Sequence, residues 1–286
     1  MAQPSLKVAH PVLQAIPGVN FFQLSRFLLI AFLVTFPLQI RTLVYNPPFL
    51  LTGNFNPYAT FFVYLSDVAL AAAFLCWGIA LLRGETVYKK FGDAKVLIGL
   101  LLIFAVSLLP SVYFAEYRLM SFLLCARFFE LMLLVVLMGQ DILGMKDVLK
   151  YFVAGMAAQA GIAIFQYLFQ HSLGLQILGE AALSPDTPGV AKMDVGGEKL
   201  IRAYGTFPHP NVLAGGLTAA LFLSWHWLKN TFWLRVGVVA LLSAALLLTF
   251  SRSAFLAFAG GVLVFISLGD SKIYWRNILL GASILL

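Results

Sequence analysis

The segment Arg202–Asn211, RAYGTFPHPN, places several kinds of polar side chain close together in a mostly apolar chain. Pro210 predicts the first turn of a helix, because a proline there loses no hydrogen bond, and His209 or Thr206 is expected to cap it. The free N–H groups of that turn and the Arg202 guanidinium together form a site for an anion. Phosphate suits arginine best, since the forked donors of a guanidinium meet two oxygens at once. The alternative is a capped helix start whose arginine only extends to the membrane interface.

A second candidate is Arg252, which lies between two apolar runs in LLLTFSRSAFLAF. An arginine at membrane depth costs about 2.5–3.5 kcal/mol and therefore normally faces a partner or a watery cavity. Ser251 and Ser253 are expected to satisfy backbone groups at this break. We expect Arg252 to lie on the same side of the membrane as Arg202. The alternative is a tight turn at the interface, with the arginine facing lipid headgroups.

Further polar side chains lie inside apolar runs. Arg127 and Glu130 are neighbours at a spacing of three residues on a helix, which favours a buried structural ion pair over a role in ligand binding. Asp67 is expected to be a partner for an arginine or a polar contact between helices. Gln166 is expected near the outer end of its helix, where it would line the same cavity as Arg202.

The composition indicates a polytopic membrane protein. Of the 286 residues, 61% are hydrophobic and 11% are charged, and the mean hydropathy is +0.93. A soluble domain is nearer half apolar and about one quarter charged. In such a chain the net charge of +7 reports topology and contact with membrane lipids rather than binding to nucleic acid. No cluster of Cys and His has the spacing of metal ligands, so no metal site is expected.

Apolar runs of about 20 residues predict membrane spans. Eight such runs predict an all-α bundle of transmembrane helices in a single domain, residues 1–286, with no sheet. They cover approximately 22–40, 59–82, 96–113, 119–139, 148–168, 212–228, 235–250 and 253–269. A ninth run begins near 277, and the chain stops inside it.

The connections between these spans indicate their orientation. Most of the 19 lysines and arginines fall on the side that carries the N-terminus, which places that terminus in the cytoplasm. Residues 169–211 then form a long outward segment. Its first part, with two prolines and the pair Gly196–Gly197, predicts a plain loop.

Two motifs resemble those of the O-antigen ligase and polymerase superfamily of bacterial envelope glycosyltransferases. They are R-x-x-G-T-F-x-H-P-N-x-L-A at Arg202–Ala214 and T-x-S-R-S-A at Thr249–Ala254. The preceding stretch FQYLFQHSLGLQILGE, Phe165–Glu180, is also similar in character. The resemblance covers roughly residues 150–270, and the earlier spans match only in hydropathy.

This resemblance implies an enzyme on the outer face of the bacterial inner membrane. It would transfer a glycan from an undecaprenyl-pyrophosphate donor to a lipid, polysaccharide or protein acceptor, without a nucleotide sugar, cofactor or metal. Arg202 and Arg252 match the family arginines and would hold the pyrophosphate, and Thr206, His209 and Asn211 belong to the same motif. Family members carry a catalytic histidine in a long outward loop, which this sequence lacks. The resemblance therefore implies a chain truncated before that loop, with its catalytic residue unassigned.

Two other functions remain open from the sequence. A transporter or flippase for a lipid-linked anion would also need arginines facing a membrane cavity, but no second copy of the 202–211 pattern suggests an inverted repeat. A non-catalytic protein of envelope assembly is the third possibility.

Overall fold

The computed structural model describes residues 19–46, 60–86, 95–228 and 231–268. Eight α-helices lie in these ranges. They are α1 (Phe21–Thr35), α2 (Leu65–Leu82), α3 (Lys95–Phe114), α4 (Arg118–Gly139), α5 (Met145–Phe169), α6 (Pro210–Trp227), α7 (Phe232–Leu248) and α8 (Arg252–Leu268). They occupy the eight apolar runs of the sequence. The run that begins near 277 falls outside the described residues.

Three helices are long and apolar enough to cross a membrane by length and composition: α2, α4 and α5. Each of the other five contains a shorter apolar helical stretch: Phe21–Thr35, Ile98–Phe114, Pro210–Trp225, Phe232–Leu248 and Arg252–Val264. Large side chains on these helices remain exposed, among them Ile103, Leu256 and Leu263, at 69%, 75% and 65% of their surface. Contiguous exposed apolar surface is unfavourable in water and expected in lipid. Several long apolar helices therefore indicate a multi-pass membrane protein.

The expectation of a sheet-free chain is corrected by two short antiparallel hairpins. Strand β1 (Arg41–Tyr45) pairs with β2 (Phe61–Tyr64), and β3 (Lys192–Val195) pairs with β4 (Glu198–Ile201). Both hairpins lie in connections between helices, and the two strands of each pair with one another.

Two span boundaries also differ from the sequence prediction. The first apolar run predicts a helix to residue 40, but α1 ends at Thr35. Pro37 follows two residues later, and it has no backbone N–H to donate to a helix. The second was expected to begin at 59, but residues 61–64 form β2 before α2 starts. β-branched and aromatic residues favour an extended backbone there.

The chain divides into two compact units. The first comprises residues up to 36 and 41–145, and the second comprises residues 37–40 and those from 146 onward. Whether they act as the single domain expected from the sequence stays a prediction. In the first unit α1 packs on α2, α3 packs on α4, and α2 contacts α4.

The core of the second unit lies between α5, α6, α7 and α8. Its fully buried members are mostly small or aliphatic, including Ala160 and Ala163 of α5, Leu217 of α6 and Ala245 of α7. Small residues let helix backbones approach closely, which is how helices associate where lipid is as apolar as the core. This packing brings the end of α7 and the starts of α6 and α8 to one end of the unit.

Candidate functional site

A cavity of about 690 Å³ opens at this end of the second unit. We call it the basic cavity. Its lining comes from β3, from Arg202 and the first turn of α6, and from the turn between α7 and α8 with the start of α8. The lining residues are Lys192, Met193, Asp194, Arg202, Asn211, Phe250, Arg252, Ser253 and Phe255. The volume is within the range of ordinary small-molecule sites, and three basic side chains meet there with one carboxylate.

The turn between α7 and α8 places Arg252 at the cavity. Phe250 has a positive φ of 48°, a left-handed conformation that is unusual for an aromatic residue and that ends α7 abruptly. The Thr249 hydroxyl donates to the carbonyl of Leu246 at 2.6 Å. Helix α8 then begins at Arg252 itself, so this exposed arginine of the cavity lining belongs to the first turn of a helix, whose N–H groups have no partner within the helix.

Arg202 joins the two sequence motifs directly. Its Nε donates to the carbonyl oxygen of Thr249 at 2.6 Å, and a terminal nitrogen donates to Oδ1 of Asn211 at 2.7 Å. The first bond satisfies a carbonyl at the C-terminal end of α7, where a cation is also favoured by the helix dipole. The Arg202 side chain therefore joins the RAYGTFPHPN segment to the TFSRS turn, together with the N–H of Ala203, which donates to the carbonyl of Leu248 at 3.0 Å.

The guanidinium of Arg202 keeps donors for a ligand. It has five N–H groups, and these two hydrogen bonds occupy two of them. Partial burial lowers the pKa of Arg202 from its usual range, but a guanidinium stays charged at any physiological pH. Among the described residues no hydrogen bond or ion pair engages the side chain of Arg252. The site therefore combines an oriented arginine with an uncommitted one.

The predicted start of α6 is confirmed. Pro210 is the first helical residue, and Nδ1 of His209 accepts a hydrogen bond from the N–H of Asn211 at 3.1 Å. An accepting Nδ1 requires the neutral ring with its proton on Nε2. Burial first, and then the charge of Arg202, lower the pKa of His209, which favours that neutral form. His209 thus caps the helix beside the basic cavity and does not line it.

Thr206 lies in the interior rather than on the cavity wall. It is 1% exposed, and its hydroxyl donates to the carbonyl of Pro37 at 3.1 Å. Its N–H donates to Oε1 of Gln159 at 2.8 Å. The preceding Gly205 has a φ of 63°, and a Cβ there would lie 2.6 Å from the same Gln159 oxygen. The G-T pair of the motif therefore anchors the segment to α5 and leaves Arg202 to face the cavity.

Gln166 is also buried. The sequence predicted that it would line the basic cavity, but it does not. Its amide nitrogen donates to Oε1 of Glu180 at 2.7 Å and to the carbonyl of Gly205 at 2.9 Å. Glu180 in turn accepts from the N–H groups of Leu173 and Leu175. A single buried carboxylate thus fixes the loop that follows α5, a role that the sequence did not suggest.

Asp67, Arg127 and Glu130 form a separate cluster in the first unit. Arg127 lies 2.7 Å from Asp67 and 3.9 Å from Glu130, which confirms the predicted ion pair and identifies Asp67 as the closer partner. Arg127 also donates to the carbonyl of Phe62 and lies over the ring of Phe61. The guanidinium thereby links α4 to α2 and to β2.

The sequence interpretation missed Lys192 and Asp194. Both lie on β3, in a stretch that the sequence predicted to be loop. The signal was present in the pair Gly196–Gly197, which separates KMDV from EKLI. Two residues with positive φ, here 64° and 91°, form the tight turn that joins hairpin strands, and glycine pairs favour it.

Comparisons with known proteins give no match to a family model, a curated protein or a solved structure. In the described ranges no group of three or more His, Cys, Asp or Glu side chains is arranged to hold a metal ion.

Proposed function

We propose that this chain is a membrane glycosyltransferase of the O-antigen ligase and polymerase kind, and that its basic cavity binds the pyrophosphate of an undecaprenyl-linked glycan. The observation that carries the proposal is the meeting of Arg202 and Arg252 on one cavity wall. These residues are far apart in the chain, and each belongs to one of the two motifs that resemble that superfamily.

The charges and donors of the cavity support a pyrophosphate ligand. The three donors left on Arg202 and the five of Arg252 match oxygens on two adjacent phosphates, since guanidinium forks bind phosphate in pairs of hydrogen bonds. Lys192 adds a third positive charge. The apolar helix surfaces around the unit suit the polyprenyl chain that such a donor carries.

The chemistry follows from where charge develops. An acceptor hydroxyl oxygen bonds to the anomeric carbon while the bond from that carbon to the pyrophosphate breaks, and the hydroxyl proton passes to a base. The leaving pyrophosphate gains negative charge, which the two arginines stabilise. No described residue is assigned as the base.

The proposal includes the location that the charge bias favours. The cavity would face the outer side of the bacterial inner membrane, and the N-terminus would lie in the cytoplasm. The acceptor would be a lipid, a polysaccharide or a protein.

Binding to the purified chain in detergent tests the proposal. We expect it to bind undecaprenyl pyrophosphate and not undecaprenol. Arg252→Gln should weaken binding about tenfold, the lower end for a charge-assisted hydrogen bond at an exposed group. Arg235→Gln is the matched control, because Arg235 lies about 20 Å away along α7 and stacks on Trp225. Equal affinity for the two lipids, or an equal effect of the two substitutions, would contradict the proposal.

A glycan-transfer assay separates the enzyme from a transporter. Surface glycan should be lost in cells whose only copy of the protein that contains this chain carries Arg202→Ala or Arg252→Ala. Movement of the intact lipid across vesicles without transfer of its sugar would favour a flippase.

A further inference from the structure

We propose that Asp194, on the β3–β4 hairpin, binds the hydroxyl groups of the first sugar attached to the pyrophosphate, and so makes the basic cavity selective for glycan-bearing donors. This inference rests on the proposed function. It adds a specificity-determining residue that neither motif contains.

The hairpin is fixed to the arginine that binds the phosphate. The N–H of Arg202 donates to the carbonyl of Ala191 at 3.2 Å, and the N–H of Ala191 donates to the Tyr204 hydroxyl at 2.6 Å. The N–H of Ile201 donates to Oε1 of Gln170 at 2.7 Å. Since both strands are held at their base, the hairpin wall keeps a set position relative to Arg202.

Strand geometry then sets the order of groups along the wall. Lys192 pairs with Ile201, next to Arg202, and Asp194 lies two residues further along β3. Residues two positions apart on a strand point to the same face and lie about 7 Å apart along it. Asp194 therefore lies about 7 Å beyond Lys192 along the wall, on the side away from Arg202, a displacement comparable to one sugar ring.

A carboxylate in an anion site requires an explanation. Oδ1 of Asp194 accepts the N–H of Gly197 at 3.0 Å, which orients the side chain within the turn. Within the described ranges no ion pair joins this carboxylate to Lys192, Arg202 or Arg252, so it does not act as their structural counter-ion. Placed beside phosphate alone, it would repel the ligand.

Sugar hydroxyls account for that carboxylate. A carboxylate has about four acceptor positions, and the contact with Gly197 uses one. Hydroxyl groups donate strongly to a charged acceptor. The wall thus places basic side chains where the phosphates would bind and the Asp194 carboxylate where the hydroxyl groups of the attached sugar would lie.

The test compares lipids that differ only in the sugar. Affinities of the full 286-residue chain are measured for undecaprenyl pyrophosphate and for the same lipid carrying one glucose, galactose or N-acetylglucosamine. We expect at least one sugar-bearing lipid to bind about tenfold more tightly than the bare one. Asp194→Asn should abolish that preference and leave affinity for the bare lipid equal or higher. The asparagine oxygen can still accept from Gly197, so the turn is preserved.

Glu198→Gln is the control, because it removes the same charge from the same hairpin at an exposed residue outside the cavity lining. It should retain the preference. Equal affinity of the wild-type chain for all four lipids would overturn the inference alone, as would a preference that survives Asp194→Asn or is lost equally in Glu198→Gln. Failure of the wild-type chain to bind even the bare pyrophosphate lipid would instead overturn the proposed function.

Discussion

The most informative substitution is Arg202→Lys, which keeps the charge and removes the fork. In the structure the guanidinium spans two elements, with Nε bonded to the carbonyl of Thr249 and a terminal nitrogen bonded to Asn211. A lysine ammonium is a compact point charge on a flexible stem. It cannot make both contacts and also direct donors into the cavity.

The magnitude follows from those two bonds. A hydrogen bond that involves a charged group contributes about 1.5–3 kcal/mol. Asn211 is exposed, so its bond belongs at or below the lower end of that range. We therefore expect Arg202→Lys to lower the free energy of unfolding by about 2 kcal/mol. Affinity for undecaprenyl pyrophosphate should fall at least tenfold, since about 1.4 kcal/mol corresponds to one factor of ten.

Unfolding in mixed micelles and lipid binding measure the two effects separately. Asn211→Ala removes only one of the two bonds and should give about half of the stability loss. Arg235→Lys is the control for exchanging arginine and lysine, because its contacts are with the Trp225 and Phe232 rings. If Arg202→Lys unfolds and binds like the wild-type chain, then charge alone suffices and the role of the guanidinium fork is refuted.

Two further predictions concern the segment that carries Arg202. Gly205→Ala should lower the free energy of unfolding by about 2 kcal/mol or more. An alanine in the left-handed conformation costs about 1–2 kcal/mol, and its Cβ would lie 2.6 Å from Oε1 of Gln159. Gly215→Ala is the control for these unfolding measurements, because no atom lies within 4 Å of a Cβ placed there. The pKa of His209 is lowered from 6.5 in the folded state, so the unfolded chain takes up the proton first and stability is lost as the pH falls below about 6.5. His209→Asn keeps an N-cap that does not titrate, so its unfolding free energy should fall less between pH 7 and pH 5, and coincident pH profiles would contradict this account.

Local signals in the sequence predicted the helices well. The spans predicted at 119–139 and 253–269 correspond to α4 and α8 within about one residue, because apolar length alone defines such segments. Pro210 and His209 predicted the start of α6 through a backbone rule that needs no tertiary contact. The i to i+3 spacing likewise predicted the pairing of Arg127 with Glu130.

Local signals failed where the answer depends on distant partners. Thr206 belongs to a motif with Arg202, yet it is buried against α5 while the arginine faces the cavity. The position of Gln166 along its helix predicts a place near the cavity, but the side chain is buried in contact with Glu180. The sequence predicts loop for the β3–β4 hairpin, although its glycine pair favours a turn.

Composition and neighbours along the chain suffice to predict the membrane class, the places of the helices and the start of α6. Helix packing is needed to show that Arg202 bonds to Thr249 and Asn211, and that Arg252, Lys192 and Asp194 line one cavity with it. This difference arises because both the exposed and the core-facing sides of these helices are apolar. Hydrophobic periodicity therefore does not mark the packed face, and the contacts that assemble the cavity emerge only when the helices pack.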